Sequence, residues 1–98
     1  MNNLTLVDLF LNEYWIEKGL SENTVQSYRL DLTALCDWLD KQNLSLETLE
    51  PLDLQQFLGT RLEQGYKATS TARMLSAMRK LFQYLYREKY RTDDPSAV

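Results

Sequence analysis

Seven of the eleven basic residues of this 98-residue chain fall within residues 66–92, YKATSTARMLSAMRKLFQYLYREKYRT, against a single acid, Glu88. They are Lys67, Arg73, Arg79, Lys80, Arg87, Lys89 and Arg91, so the stretch carries +6 inside a protein of net charge −3. Cations interleaved with the small hydroxyls of Thr69, Ser70 and Ser76 have the chemistry of phosphate and base-edge recognition. The competing reading is an amphipathic helix with a merely solvated outer face. Bases in a last helical turn complement the helix dipole, and Arg87, Lys89 and Arg91 are assigned mainly to that role. Lys67, Arg73, Arg79 and Lys80 lie earlier, where the dipole does not reward cations, and are assigned to nucleic acid.

What the chain lacks narrows the chemistry further. It has no histidine, one cysteine (Cys36) and three separated glycines, Gly19, Gly59 and Gly65. The commonest general base, a plausible zinc or iron–sulfur site and a glycine-rich phosphate loop are therefore all missing. Tyr14, Tyr28, Tyr66, Tyr84, Tyr86 and Tyr90 have no activating cluster around them and read as core or margin residues. The expectation is a protein that binds without cutting, with no catalytic residue, cofactor or metal. A lone thiol rules out an internal disulfide, and Cys36 reads as a small core residue. No secretory signal opens the chain and no apolar run is long enough to cross a bilayer, which makes a cytoplasmic location the default expectation.

An acidic total normally argues against nucleic acid. Here residues 1–65 hold eleven acids and four bases, so the acidity sits apart from the basic stretch. Salt screens charges beyond about 8–10 Å, and a duplex on one face feels the local patch more than the sum.

Four helices must position these groups in a single all-α domain. Residues 4–18 carry Leu6, Val7, Leu9, Phe10, Leu11, Tyr14, Trp15 and Ile16, a stripe wider than one contact requires, stopped at Gly19. Ser21 is a good N-cap for a second helix over residues 22–41, burying Val25, Tyr28, Leu32, Leu35, Cys36 and Leu39, with Trp38 at the margin. Asn23, Thr24, Gln26, Ser27 and Arg29 cluster near its start, where free amides and positive potential suit a phosphate. Leu44, Leu46 and Leu49 plug the core before Pro51, which opens a third helix over residues 51–64 with Leu52, Leu54, Phe57, Leu58 and Leu62 as its stripe. Its outer surface, with Asp53 and Glu63, is a poor candidate for DNA. The fourth helix, residues 69–89, has Ala68, Ala72, Leu75, Met78, Leu81 or Phe82, and Leu85 at three- and four-residue steps. Residues 92–98, TDDPSAV, have the composition of a linker and offer no core contribution.

The phrases LSENTVQSYRLDL (residues 20–32) and YKATSTARMLSAMRKLFQYLYREKY (residues 66–90), closed by DDPSA (residues 93–97), resemble the N-terminal core-binding domain of tyrosine recombinases, the phage-integrase superfamily. The likeness covers nearly the whole chain. It implies a compact four-helix SAM-like bundle over residues 1–92 that forms half of a clamp on DNA. Residues 93–98 would begin a linker to a C-terminal catalytic domain. In such clamps the second and fourth helices present their faces to the major groove. The residues so implied are Asn23, Thr24, Gln26, Ser27 and Arg29, with Lys67, Thr69, Ser70, Arg73, Ser76, Arg79 and Lys80. One departure is Leu30, where the family often has a base. The implied partners are a double-stranded recombination half-site, a second recombinase of the family and other protomers in a tetramer on DNA. No membrane is involved, and the isolated domain would be monomeric. The alternative is a helical protein-interaction module that docks through the first helix without binding DNA.

Overall fold

Except at the start of α4, the helix boundaries among the described residues are set by local chemical devices. The computed structural model describes residues 1–97: α1 (Asn3–Lys18), α2 (Glu22–Lys41), α3 (Pro51–Glu63) and α4 (Ala68–Arg87), with no strand among the described residues. The chain divides into two units, Met1–Leu46 and Glu47–Val98.

In the first unit the Asn2 side chain caps α1 by accepting the Thr5 N–H at 2.9 Å. Gly19, at φ 58°, ends the helix in the left-handed region and donates its N–H to the Trp15 carbonyl. Ser21 caps α2, as its sequence position predicts, by accepting the Thr24 N–H at 3.2 Å. Leu6, Val7, Phe10 and Leu11 are buried on α1, and Val25, Leu32, Leu35, Cys36 and Leu39 on α2. These two helices pack on each other, and Tyr14 of α1 stands between Phe10 and Tyr28, with ring centroids 5.2 and 6.3 Å away. Leu4, Leu9, Trp15 and Ile16 remain exposed, so the unusually wide apolar stripe of α1 is only half used inside the chain. A polar tie closes the unit. Asn3 donates to Asp40 Oδ1 (3.0 Å) and the Leu44 carbonyl (3.1 Å), and its Oδ1 accepts the Leu46 N–H (2.9 Å). Cys36 is fully buried, and its thiol is pushed up to about 12 by burial first and then by Asp40, Asp37 and Asp8, so it stays protonated and inert.

In the second unit the Glu50 N–H donates to Asp53 Oδ2 at 2.8 Å and Pro51 occupies the first turn of α3. The buried face of α3 is Leu54, Phe57 and Arg61 rather than the full leucine stripe expected from sequence. Leu52 and Leu62 are exposed. Arg61 takes the core-facing position, three and four residues beyond Leu58 and Phe57, because its guanidinium lies over the rings of Phe57 and Tyr66.

The packed face of α4 is the expected one at Met78, Leu81, Phe82 and Leu85 and departs from it in the first two turns. Met74, Ala77, Met78, Leu81, Phe82, Tyr84 and Leu85 are buried, whereas Ala68 and Ala72 are exposed and Leu75 is half-buried. Methionine and aromatic side chains remove far more apolar area from water than alanine, so they fix the rotation of the helix and alanine follows. The helix ends at Glu88, with Lys89 in the left-handed region (φ 64°) and the Tyr90 N–H returning to the Leu85 carbonyl at 2.9 Å. This 6→1 closure recurs at Gly65, where Tyr66 bonds back to Arg61, and at Asn43, where Leu44 bonds back to Leu39.

Two expectations about the end of the chain are corrected. Arg91 is not a solvated dipole partner: it is buried, donates to the Leu49 carbonyl at 2.7 Å, pairs with Asp93 at 3.0 Å and lies over Phe82. Residues 93–97 do contribute to packing. Ser96 donates through its N–H and hydroxyl to Asp94 Oδ1, and Pro95 and Ser96 are buried beside Pro51, Leu54 and Met78.

Candidate nucleic-acid interface

Away from its packed face, α4 carries a row at alternating four- and three-residue steps: Thr69, Arg73, Ser76, Lys80, Gln83 and Arg87. Such steps keep side chains on one side of a helix. The row runs for about 27 Å at the standard rise per residue. Thr69, Arg73, Gln83 and Arg87 are exposed, and Ser76 and Lys80 half-buried. Lys80 Nζ donates to Ser76 Oγ at 2.8 Å, which holds the ammonium along the helix surface. Arg87 pairs with Glu88 at 3.5 Å and stacks on Tyr84, in keeping with a structural share of its charge.

Three further expected residues stand off this row. Arg79 is exposed on its flank, one turn before Gln83. Ser70 is half-buried and lies one turn before Met74, on the side of the packed face. Lys67 is exposed and is the N-cap of α4, where no side chain caps the helix and the first turn contains no acid. A cation beside the positive end of a helix dipole is unfavourable unless an anion joins both.

On α2, Asn23, Gln26 and Ser27 share one side at helical spacing with Leu30, which is 70% exposed. Asn23 and Gln26 are exposed and Ser27 half-buried. Thr24 and Arg29 sit on the flanks and are engaged. The Thr24 hydroxyl lies 3.0 Å from the Ser21 hydroxyl in the helix cap, and Arg29 makes an ion pair with Asp8 of α1. That pair is surface-exposed on both sides, so it holds Arg29 only weakly.

The sequence reading passed over Gln83, although its spacing from Ser76 and Lys80 was the signal that identifies it. Leu30 was noted only as a missing charge, and the structure adds that it is exposed on the side of α2 that carries Asn23, Gln26 and Ser27.

The Tyr14 hydroxyl is raised by burial and secondarily by Tyr28, which disfavours the phenolate. Among the described residues no cluster of His, Cys, Asp and Glu is disposed to hold a metal ion, and no helix is long and apolar enough to cross a membrane.

Comparison with known proteins fits this arrangement. Residues 7–89 match the model of the phage integrase N-terminal SAM-like domain. The chain is 88% identical over 98 residues to the tyrosine recombinase XerD of Haemophilus influenzae, covering 100% of this chain and 33% of that protein. It is 74% identical over 98 residues to XerD of Pasteurella multocida (100% and 33% covered) and 49% identical over 98 residues to XerD of Vibrio vulnificus (100% and 32%). The chain thus spans about a third of the length of these relatives. With four helices in the expected order and the family model spanning all of them, this all-α chain belongs to the phage integrase N-terminal SAM-like family and corresponds to the N-terminal domain of a XerD-like tyrosine recombinase.

Proposed function

We propose that this chain binds double-stranded DNA, recognising half of a recombination site for a XerD-like recombinase. The observation that carries the reading is the row Thr69, Arg73, Ser76, Lys80, Gln83 on α4, a hydroxyl- and amide-spaced line of cations on the side of the helix away from its packed face. Arg73, Arg79, Lys80 and Lys67 supply phosphate contacts, with Thr69, Ser70 and Ser76 beside them. Asn23, Thr24, Gln26 and Ser27 of α2 suit base edges, and Arg29 suits a phosphate. Strand cleavage and rejoining belong to a catalytic domain outside residues 1–92, with residues 93–98 leading toward it. A XerC-like partner recombinase and further protomers complete a tetramer on DNA, in the cytoplasmic work of resolving chromosome dimers.

The test is binding of the chain to duplex DNA as a function of salt. Each neutralised phosphate contributes a log–log slope of about −0.9, so four to six contacts give a steep dependence. Arg73→Ala should cost about 1–3 kcal/mol on the cognate half-site and less on random DNA if Arg73 reads a guanine. Equal loss on both would assign it to the backbone. Binding that ignores salt would end the proposal.

A second reading has one observation in its favour: Leu4, Leu9, Trp15 and Ile16 of α1 are exposed. A module that docks another protein through α1, with no affinity for DNA, would use them. Chemical shifts confined to residues 1–18 on adding duplex, or none, would favour it.

A further inference from the structure

Arg61 is the charged side chain that the family match and the DNA-facing row leave unexplained. It sits in the last turn of α3 and is only 6% exposed, yet its Nε–H has no hydrogen-bond partner among the described residues. Its guanidinium lies 4.0 Å from the centroid of Tyr66 and 5.8 Å from that of Phe57. Ring faces offset part of the cost of dehydrating a cation, but they offer no acceptor to an N–H. A buried guanidinium with an idle donor retains the capacity to bind an anion.

The surroundings indicate which anion. Tyr66, whose N–H bonds to the Arg61 carbonyl at 3.2 Å, leads directly into Lys67, the N-cap of α4. No side chain caps that helix end and no acid stands in its first turn, so its amides keep their positive potential. Arg61 thus reaches the ring of Tyr66, and the next residue, Lys67, opens α4, which puts a guanidinium, a second cation and an uncapped helix start at one corner of the chain path in the second unit. Guanidinium beside a helix N-terminus is a phosphate-binding combination.

We propose that this corner holds one phosphodiester of the DNA backbone, with Arg61 as a phosphate ligand beside Lys67 and the first-turn amides of α4. The proposal rests on the DNA-binding reading above and adds to it a contact from α3, the helix whose acidic outer surface argued against any role in binding. Tyr66, which is 48% exposed, lies over the guanidinium in the free chain, so the site requires its side chain to turn aside for the phosphate to enter. Because a phosphate carries no sequence information, the contact operates on any duplex.

The test is a nitrogen-15 NMR titration of the chain with a mixed-sequence duplex at low salt, following arginine Nε–Hε signals and backbone amides. The expected result is a shift of the Arg61 Nε–Hε signal together with the Thr69 and Ser70 amides. Arg61→Met, which keeps an apolar stem against Tyr66, should then reduce the salt slope by about 0.9, equally for all sequences. An unmoved Arg61 signal while Arg73 and the Lys80 amide respond would overturn this site and leave DNA binding intact. No response anywhere would remove both. The first measurement uses the unaltered protein, so an unfolded variant cannot obscure the answer.

Discussion

The two faces offered by α2 and α4 are built from different chemistry. On α2 the outward side is Asn23, Gln26, Ser27 and Leu30, neutral throughout, and the one nearby arginine is already paired with Asp8. On α4 the outward side alternates cations with hydroxyls and an amide. Amides select among base edges, whereas cations hold phosphates and supply affinity regardless of sequence. The difference assigns discrimination mostly to the first unit and grip mostly to the second, within the proposed function.

The largest effect that could break this division is loss of grip. Replacing both Arg73 and Lys80 with alanine should flatten the salt slope by about 1.8 and weaken every duplex alike, read by fluorescence anisotropy across a salt series. If the double variant instead changes sequence preference, α4 reads bases and the division fails. Gln26→Ala should do the opposite, costing about 1–3 kcal/mol on a selected site with little change in slope. Leu30→Arg sharpens the contrast by importing grip into the first unit: the slope should steepen by about 0.9, with tighter binding to random DNA.

Smaller effects concern the polar ties. Asn3→Ala removes three hydrogen bonds in the first unit and Arg91→Ala leaves the Leu49 carbonyl without its donor in the second. Each should lower unfolding stability by about 1–3 kcal/mol in urea titration. Asp93 is largely exposed, so the ion pair itself adds little to the Arg91 figure.

How far these features can be read from the chain alone varies with their range in sequence. The ends of α1 and α2 are written locally, in Asn2, Gly19 and Ser21, and periodicity finds their neighbours. The rotation of α4 was misread at Ala68 and Ala72 because alanine is as comfortable in water as in a core, and only the placement of Met74, Phe82 and Tyr84 decides it. Arg61 and Arg91 were invisible as buried groups for a different reason. A cation reads as solvated until something distant or unexpected accepts it, and the Arg91 acceptor is a carbonyl 42 residues away. The exposed row on α4 is legible from spacing alone, since surface placement depends only on helical geometry, and Gln83 is the member passed over.

Cys36 gives the chain a natural timer. It is the sole thiol, fully buried in the first unit and protonated at neutral pH, so a thiol-selective reagent labels it only when that unit opens. The labelling rate, followed with and without duplex, would record how often α1 and α2 separate, with the second unit silent in the readout.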